Sequence, residues 1–160
     1  MSLYLRVVEP SEIEEICDYE NQKLMESIPD DSERQLKSWN ARWRRESLEH
    51  YLQMGWSFLA RDTDTKSDRH PEGELVGYFI AQPLLFFDGY TQSLWVEHVA
   101  YSTLKSRDEL CELAYKLARE KHLQKVFFPQ SSALQNCLTA FRAETWKPNV
   151  LSVRSTKMES

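Results

Sequence analysis

The first third of the chain alternates between a short apolar run and two segments with helical spacing. Residues 3–8 form a β-prone run that ends at Glu9-Pro10, and Pro10-Ser11 followed by acidic residues is typical of a helix start. The next segment repeats at the i, i+3, i+4 spacing of one helix face through Ile13, Ile16, Cys17, Glu20 and Leu24. After a break at Pro29-Asp30-Asp31-Ser32, a second apolar stripe follows through Leu36, Trp39, Trp43 and Tyr51. The pattern predicts a strand and two helices.

The remainder of the chain predicts three consecutive strands and then two strand and helix alternations. Residues 56–62, 74–83 and 91–101 are β-rich, and a turn at Asp88-Gly89 separates the last two segments. An amphipathic helix follows, then a buried strand over 123–128, a helix over about 131–144 and a strand over 149–158. The predicted order is β-α-α-β-β-β-α-β-α-β, which is an α/β fold.

Length, composition and net charge limit the number of domains, the partners and the cysteine chemistry that we expect. The length of 160 residues, with 41% hydrophobic and 12% aromatic residues, predicts a single domain, 1–160. The formal net charge of −5 gives nucleic acid no general electrostatic reason to bind. Cys17, Cys111 and Cys137 are odd in number and far apart, so neither a disulfide framework nor a zinc site is indicated.

The sequence pattern also bears on targeting and on membrane insertion. The first residues lack the basic and apolar regions of a signal peptide. The most apolar run, residues 75–87, is too short to span a bilayer. We therefore expect a cytoplasmic protein without a membrane or nucleic-acid partner, and the sequence leaves the oligomeric state open.

Two local motifs support a family resemblance. The segment GELVGYFIA, residues 73–81, and the segment NCLTAFRAETWKPNVLSVRSTKM, residues 136–158, together with the order of elements, resemble the GNAT family of Gcn5-related N-acetyltransferases. The resemblance implies a mixed, mostly antiparallel central sheet with flanking helices. It also implies transfer of an acetyl group from acetyl-CoA, as co-substrate, to a small-molecule or peptide amine.

The resemblance implies a cofactor site where the central strand runs into the following helix. The strand over residues 94–101 would bind the pantetheine arm, which makes Val99 and Tyr101 candidate contacts. The loop 102–108 would surround the pyrophosphate, with Lys105, Ser106 and Arg107 as candidates, but it lacks the glycines of the family pattern.

The residues of this loop also predict a competing local structure. Ser106-Arg107-Asp108-Glu109 reads as a capping box, which would satisfy the helix N-terminus internally. Asp108 and Glu109 also place negative charge near the phosphate position.

Two neighbouring polar residues of the central strand are candidate catalytic groups. Glu97 and His98 lie where the family often places a base, and the strand period of two predicts that they point to opposite faces. Of the two, Glu97 is the favoured base, and a hydrogen-bonded structural role is the alternative for each. The family's usual acid, a tyrosine late in the last helix, corresponds to Phe141, which has no hydroxyl.

Three functions remain open at this point. The first is an N-acetyltransferase whose acceptor cleft lies between the first two helices and the central strands, where Trp39 and Trp43 line the cleft or pack in the core. The second is a non-catalytic binding or interaction module with the same fold. The third is a pocket for an acyl carrier or ligand that lacks a pyrophosphate.

Overall fold

The computed structural model describes residues 1–147 and 149–156 and contains one seven-stranded sheet in the order β1-β2-β3-β4-β5-β7-β6. The strands are β1 (Leu3–Val7), β2 (Phe58–Asp62), β3 (Glu74–Phe87), β4 (Tyr90–Tyr101), β5 (Lys125–Pro129), β6 (Glu144–Lys147) and β7 (Val150–Arg154). The helices are α1 (Ile13–Ser27), α2 (Asp31–Trp39), α3 (Arg45–Leu52), α4 (Leu104–Glu120) and α5 (Ser132–Leu138). β4 and β5 run parallel, and the other neighbouring pairs are antiparallel. The predicted mixed, mostly antiparallel α/β fold is confirmed.

Each face of the sheet carries its own hydrophobic core. On one face, α4 and α5 pack through residues such as Leu110, Ala114 and Leu138. On the other face, α1 and α3 pack through residues such as Ile16 and Leu48. Because β4 contributes to both cores, its two faces look toward different sets of helices.

A glycine in β3 allows α4 to approach the sheet closely. A Cβ atom at Gly77 would lie 2.8 Å from Leu110 Cδ1 and 2.8 Å from the main-chain oxygen of Ala100. These separations are shorter than van der Waals contact, so a side chain there would push α4 outward. Gly77 therefore fixes how near the helix N-terminus lies to the end of β4.

The predicted second helix is in fact two helices. The stripe that runs through Leu36, Trp39, Trp43 and Tyr51 is broken, because Leu36 and Trp39 are 56% and 65% exposed while Trp43 and Tyr51 are buried. The chain turns between α2 and α3, and that turn brings Trp43 into the core.

The predicted helix over 131–144 is too long. α5 ends at Leu138, and after a short 3-10 turn Arg142 adopts a left-handed conformation with φ of 60°. A residue in this conformation ends a helix, and the chain continues as β6, a strand that the pattern did not predict. The predicted last strand over 149–158 corresponds to β7, and its final two residues lie outside the described part of the chain.

None of the helices in residues 1–147 and 149–156 combines the length and apolar character needed to cross a bilayer. The same residues contain no group of three His, Cys, Asp or Glu side chains suited to a metal ion.

Candidate active site

The central strand β4 separates from β5 halfway along its length. The two strands pair at Ser93, Leu94 and Trp95 of β4, while the pairing of β4 with β3 continues to Tyr101. Residues 96–101 therefore have one edge without a β5 partner in the described chain. The result is a V-shaped opening between β4 and β5.

The candidate cofactor residues Val99 and Tyr101 present main-chain groups to this opening. The N–H of Ser102 donates to the main-chain oxygen of Val76 on β3, at 2.9 Å. Since successive residues of a strand direct their hydrogen-bonding groups to alternate sides, those of Val99 and Tyr101 face away from β3. Consistent with this, Lys23 Nζ donates to the Tyr101 main-chain oxygen at 2.9 Å from the open side.

A β-bulge in β4 places both candidate catalytic side chains on one face. Ile80 pairs with His98 and Ala81 pairs with Val96, so Glu97 is an extra residue in the ladder. His98 contacts α1 and Glu97 contacts α3, and both helices pack on the same face of the sheet. The expectation that the two side chains point to opposite faces was wrong, because the bulge interrupts the period of two.

His98 is held by a buried carboxylate. His98 Nε2 lies 3.1 Å from Glu20 Oε1, and the hydroxyl of Tyr78 donates to the same oxygen at 2.7 Å. Glu20 is 6% exposed and Tyr78 is fully buried. Burial, followed by the nearby charge of Glu20, raises the pKa of Tyr78 well above its usual value, so the phenol stays protonated and donates.

Sequence reasoning did not assign a role to Glu20 or Tyr78. Glu20 lies on the apolar face of α1, where an ionisable side chain needs a partner to be buried. That position was the signal in the sequence, but its partners on β3 and β4 could be identified only in the folded chain.

Glu97 forms a separate network on the same face. The indole of Trp95 and the hydroxyl of Tyr51 donate to Glu97 Oε2 at 2.7 and 3.0 Å. Arg42 Nη1 donates to the main-chain oxygen of Glu97 at 3.3 Å. Burial, followed by the charge of Glu97, raises the pKa of Tyr51 above its usual value. Arg42, which lies in the turn between α2 and α3, therefore contacts the site.

A cleft of about 570 Å³ opens beside His98, and we refer to it as the histidine cleft. It lies between the end of α1, α2, the turn after α2, and β4. Its lining residues are Leu24, Leu36, Lys37, Asn40, Ala41, Arg42, Trp43 and His98. Of the two tryptophans considered for the acceptor cleft, Trp43 lines it with one side of its ring and Trp39 does not.

The predicted capping box at the start of α4 was wrong by three residues. α4 begins at Leu104, and Thr103 is its N-cap. Thr103 Oγ1 accepts from the N–H of Ser106 at 3.1 Å, and Ser106 Oγ accepts from the N–H of Thr103 at 3.2 Å. The loop that follows β4 is thus two residues long, and Ser106 is fully buried within the first turn.

The two cationic candidates for pyrophosphate binding already have partners in the protein. Lys105 Nζ donates to the main-chain oxygen of Met1, and Arg107 Nη2 lies 2.8 Å from Asp108 Oδ1. A pyrophosphate would have to compete with the Met1 carbonyl and with the carboxylate of Asp108. Binding by Lys105, Ser106 and Arg107 stays a prediction.

The position at which the family has a tyrosine acid contributes no hydroxyl to the opening. Phe141 stacks on the ring of Tyr115, with centroids 4.5 Å apart and an interplanar angle of 23°. The hydroxyl of Tyr115 accepts from Arg119 Nη1 at 3.0 Å. Cys111 is buried, and all three cysteines are free thiols.

No protein-family model and no curated protein matches the chain. Among solved structures, a GNAT-family acetyltransferase from Listeria monocytogenes is 15% identical, with a TM-score of 0.60 over 94% of this chain and 92% of that one. The PaiA N-acetyltransferase from Thermoplasma acidophilum, in complex with coenzyme A, is 9% identical, with a TM-score of 0.63 over 96% and 99%.

A polyamine N-acetyltransferase from Drosophila melanogaster, which forms N-acetylagmatine, is 13% identical, with a TM-score of 0.60 over 95% of this chain and 98% of that one. At these identities the likeness concerns the fold. Together with the opening between β4 and β5, it shows that the chain has the fold of the GNAT acetyltransferases.

Proposed function

We propose that the chain is a single domain, 1–160, that transfers an acetyl group from acetyl-CoA to the amine of a small molecule or peptide. The observation that carries this proposal is the position of His98, which lines the histidine cleft and lies three residues beyond the last β4 residue paired with β5. An acceptor in the cleft and an acyl donor in the opening would therefore meet at the same short stretch of β4.

His98 is the proposed general base. With Nε2 directed at Glu20, the ring nitrogen Nδ1 accepts a proton from the attacking amine. The carbon–nitrogen bond forms, the carbon–sulfur bond breaks, and the thiolate of the donor takes up the proton that His98 removed from the amine. The main-chain N–H of Val99, which faces the opening, is the proposed donor to the developing oxyanion.

Glu20 and Glu97 have different proposed roles. Glu20 orients the imidazole, because its buried carboxylate lies 3.1 Å from His98 Nε2 and fixes which ring nitrogen faces the cleft. Glu97 supplies negative charge beside the cleft and attracts a cationic amine. Glu97 as the base is the alternative assignment, and the two assignments differ in which substitution abolishes acetyl transfer.

The structural neighbours support this direction. One is complexed with coenzyme A, and another is described as a polyamine N-acetyltransferase. A cytoplasmic location is part of the proposal and is supported by the three free thiols.

The start of α4 favours a second candidate, a donor that lacks the nucleotide. The Thr103 and Ser106 side chains occupy each other's N–H groups, and Arg107 is neutralised by Asp108. The open edge of β4 can still bind a pantetheine arm, since that contact uses main-chain groups.

Calorimetric titration with acetyl-CoA and with S-acetylpantetheine separates these possibilities. Tighter binding of acetyl-CoA supports the first proposal, and equal binding supports a donor without a pyrophosphate site. If neither binds, the non-catalytic module is the remaining explanation. Release of thiol from the bound donor, followed across polyamines, arylalkylamines and peptide N-termini, then identifies the acceptor class. The His98→Gln protein and, as a matched control, the His50→Gln protein are assayed in parallel.

A further inference from the structure

A second, strongly basic cleft lies at the far end of the sheet from the opening. It has a volume of about 650 Å³ and is formed where β4 and β5 begin, where β7 ends, and beside the C-terminal half of α4. We call it the basic cleft. The side chains that matter for its chemistry are Arg119, Lys125, Arg142, Arg154, Tyr90 and Tyr115.

The charge of this cleft is opposite to that of the chain. Four cationic side chains and one carboxylate, Glu144, line it, although the chain as a whole carries −5. Lys125 has a carboxylate partner, Asp88, at 3.7 Å. For the three arginines, the described residues provide no carboxylate oxygen within 4.0 Å. Glu144 and Asp88 therefore offset only part of the positive charge of the four cationic side chains.

Two phenols hold arginines in place without neutralising them. Arg119 Nη1 donates to the hydroxyl of Tyr115 at 3.0 Å, and Arg154 Nη2 donates to the hydroxyl of Tyr90 at 3.1 Å. The hydrogen bond from Arg154 lowers the pKa of Tyr90 below its usual value. Each guanidinium has further N–H donors that can bind a ligand.

The backbone conformation of Arg142 is also consistent with a ligand-binding role of its side chain in the cleft. This residue adopts a left-handed conformation, with φ of 60°, that glycine or asparagine normally occupies. A long cationic side chain is thus present at the rim where a glycine would be less strained.

We propose that the basic cleft binds a small molecule through a phosphate group. Guanidinium groups bind phosphate oxygens in pairs, and here they come from three separate elements, which are α4, the turn before β6 and β7. The volume falls in the range of small-molecule sites rather than of an extended macromolecular surface.

This site is independent of the proposed acetyl transfer. None of the residues that line the basic cleft lines the histidine cleft, and Tyr90 precedes Glu97 by seven residues of β4, which corresponds to roughly 24 Å at about 3.4 Å per residue. The two proposals can therefore fail separately.

The test is calorimetric titration of the whole chain with inorganic pyrophosphate at low salt. We expect binding that weakens at least tenfold in the Arg119→Gln/Arg154→Gln protein. The Lys116→Gln/Lys121→Gln protein removes the same charge from exposed positions outside the cleft and should bind as the wild type does. Arg142→Gly changes an exposed residue and is expected to weaken binding about threefold. It provides a second test of the cleft in case the double variant does not fold.

The competing outcomes are distinguishable. The proposal is overturned if the wild type does not bind, if both double variants lose binding equally, or if Lys105→Gln abolishes binding while the cleft variants do not, because the ion would then lie at α4. Citrate that binds as tightly as pyrophosphate would overturn the assignment to phosphate. ADP and glucose 6-phosphate, titrated in parallel, tell a nucleotide from a sugar phosphate as the source of the phosphate group.

Discussion

Glu97 and His98 are adjacent in β4, yet both side chains lie on the face covered by α1 and α3. The bulge at Glu97 causes this arrangement, since it adds one residue between the pairs Ile80–His98 and Ala81–Val96. Glu97 therefore reaches Tyr51 while His98 reaches Glu20. Two ionisable side chains therefore lie on this face of the sheet, at the level where β4 separates from β5. A strand without a bulge would place only one of them there.

The first prediction concerns the division of roles between these groups. If His98 is the base, His98→Gln should lower kcat/KM by about 10² to 10⁴ with little change in acetyl-CoA affinity. His50→Gln, which alters an exposed histidine that contacts Gln82, should leave the rate unchanged. If the His98→Gln protein keeps the wild-type rate of acetyl transfer and the Glu97→Gln protein loses it, the general base is Glu97.

A second prediction tests the positioning role of Glu20. We expect Glu20→Gln to reduce kcat by about tenfold, because an amide oxygen is a weaker hydrogen-bond acceptor than a carboxylate and holds the imidazole of His98 less firmly. The affinity for acetyl-CoA, measured by calorimetry, should stay unchanged. An unchanged kcat would mean that Glu20 does not position His98.

The third prediction concerns the N-terminus of α4. Thr103→Gly should change the free energy of unfolding by only a few tenths of a kcal/mol, because glycine is itself an acceptable N-cap. It removes the side chain that occupies the N–H of Ser106 and lets a phosphate approach the helix N-terminus. We expect tighter binding of acetyl-CoA and unchanged binding of S-acetylpantetheine, as measured by calorimetry.

Thr103→Ala is the matched variant for stability. It removes the cap acceptor and should lower the free energy of unfolding by about 1 kcal/mol in urea titration, whereas Thr103→Ser should not. Equal stability of the alanine and serine proteins would contradict the capping role that the structure gives Thr103.

All strands except β6, and the α4 helix, could be predicted because their signals are local. The turn at Asp88-Gly89 and the β-rich segments around it correspond to the hairpin of β3 and β4. The helical spacing of the residues around Leu110 corresponds to α4. Periodicity is sufficient where one face of an element is buried throughout its length.

The geometry of the candidate site could not be predicted in full, because it depends on contacts between segments that are distant in the sequence. The sequence pattern after β4 predicts a cap formed by Ser106 with Glu109, whereas Thr103 caps the helix together with Ser106. The cap forms at Thr103 because β4 pairs with β3 as far as Tyr101 and the next N–H, that of Ser102, is bound to Val76, so the helix starts at once. The bulge at Glu97 likewise depends on the register with β3, which the sequence of β4 alone does not encode.

The fourth prediction is a pH dependence of stability that comes from an ion cluster at the start of α1. Glu12 lies 2.7 Å from Arg6 and 2.9 Å from Arg61. Burial alone would raise the pKa of Glu12, but the hydrogen bonds from Arg6, the Glu9 N–H and Arg61 outweigh it and lower the pKa from 4.5 to about 2. The stabilisation is therefore present above pH 4.5 and is lost as the pH falls toward 2.

The size of this effect is measurable. A difference of that size in pKa corresponds to about 3 kcal/mol, as an upper value, between neutral pH and pH 2. Urea titration at pH 7, 5 and 3 should show the decline below pH 5, and Glu12→Gln should flatten it. An equally steep decline in that variant would assign the acid sensitivity to other carboxylates.

The last prediction is that replacement of Arg142 by glycine stabilises the fold and weakens the binding of pyrophosphate. Its left-handed backbone costs an L-residue about 1 kcal/mol or more, and glycine removes that cost but gains freedom in the unfolded chain. We expect Arg142→Gly to raise the free energy of unfolding by roughly 0.5 kcal/mol while it weakens pyrophosphate binding. Arg142→Ala removes the same charge and keeps the strain, so it should weaken binding equally and gain no stability. If both variants are as stable as the wild type, the backbone at this position stores no strain, and the arginine is present at the rim of the cleft without an energetic cost.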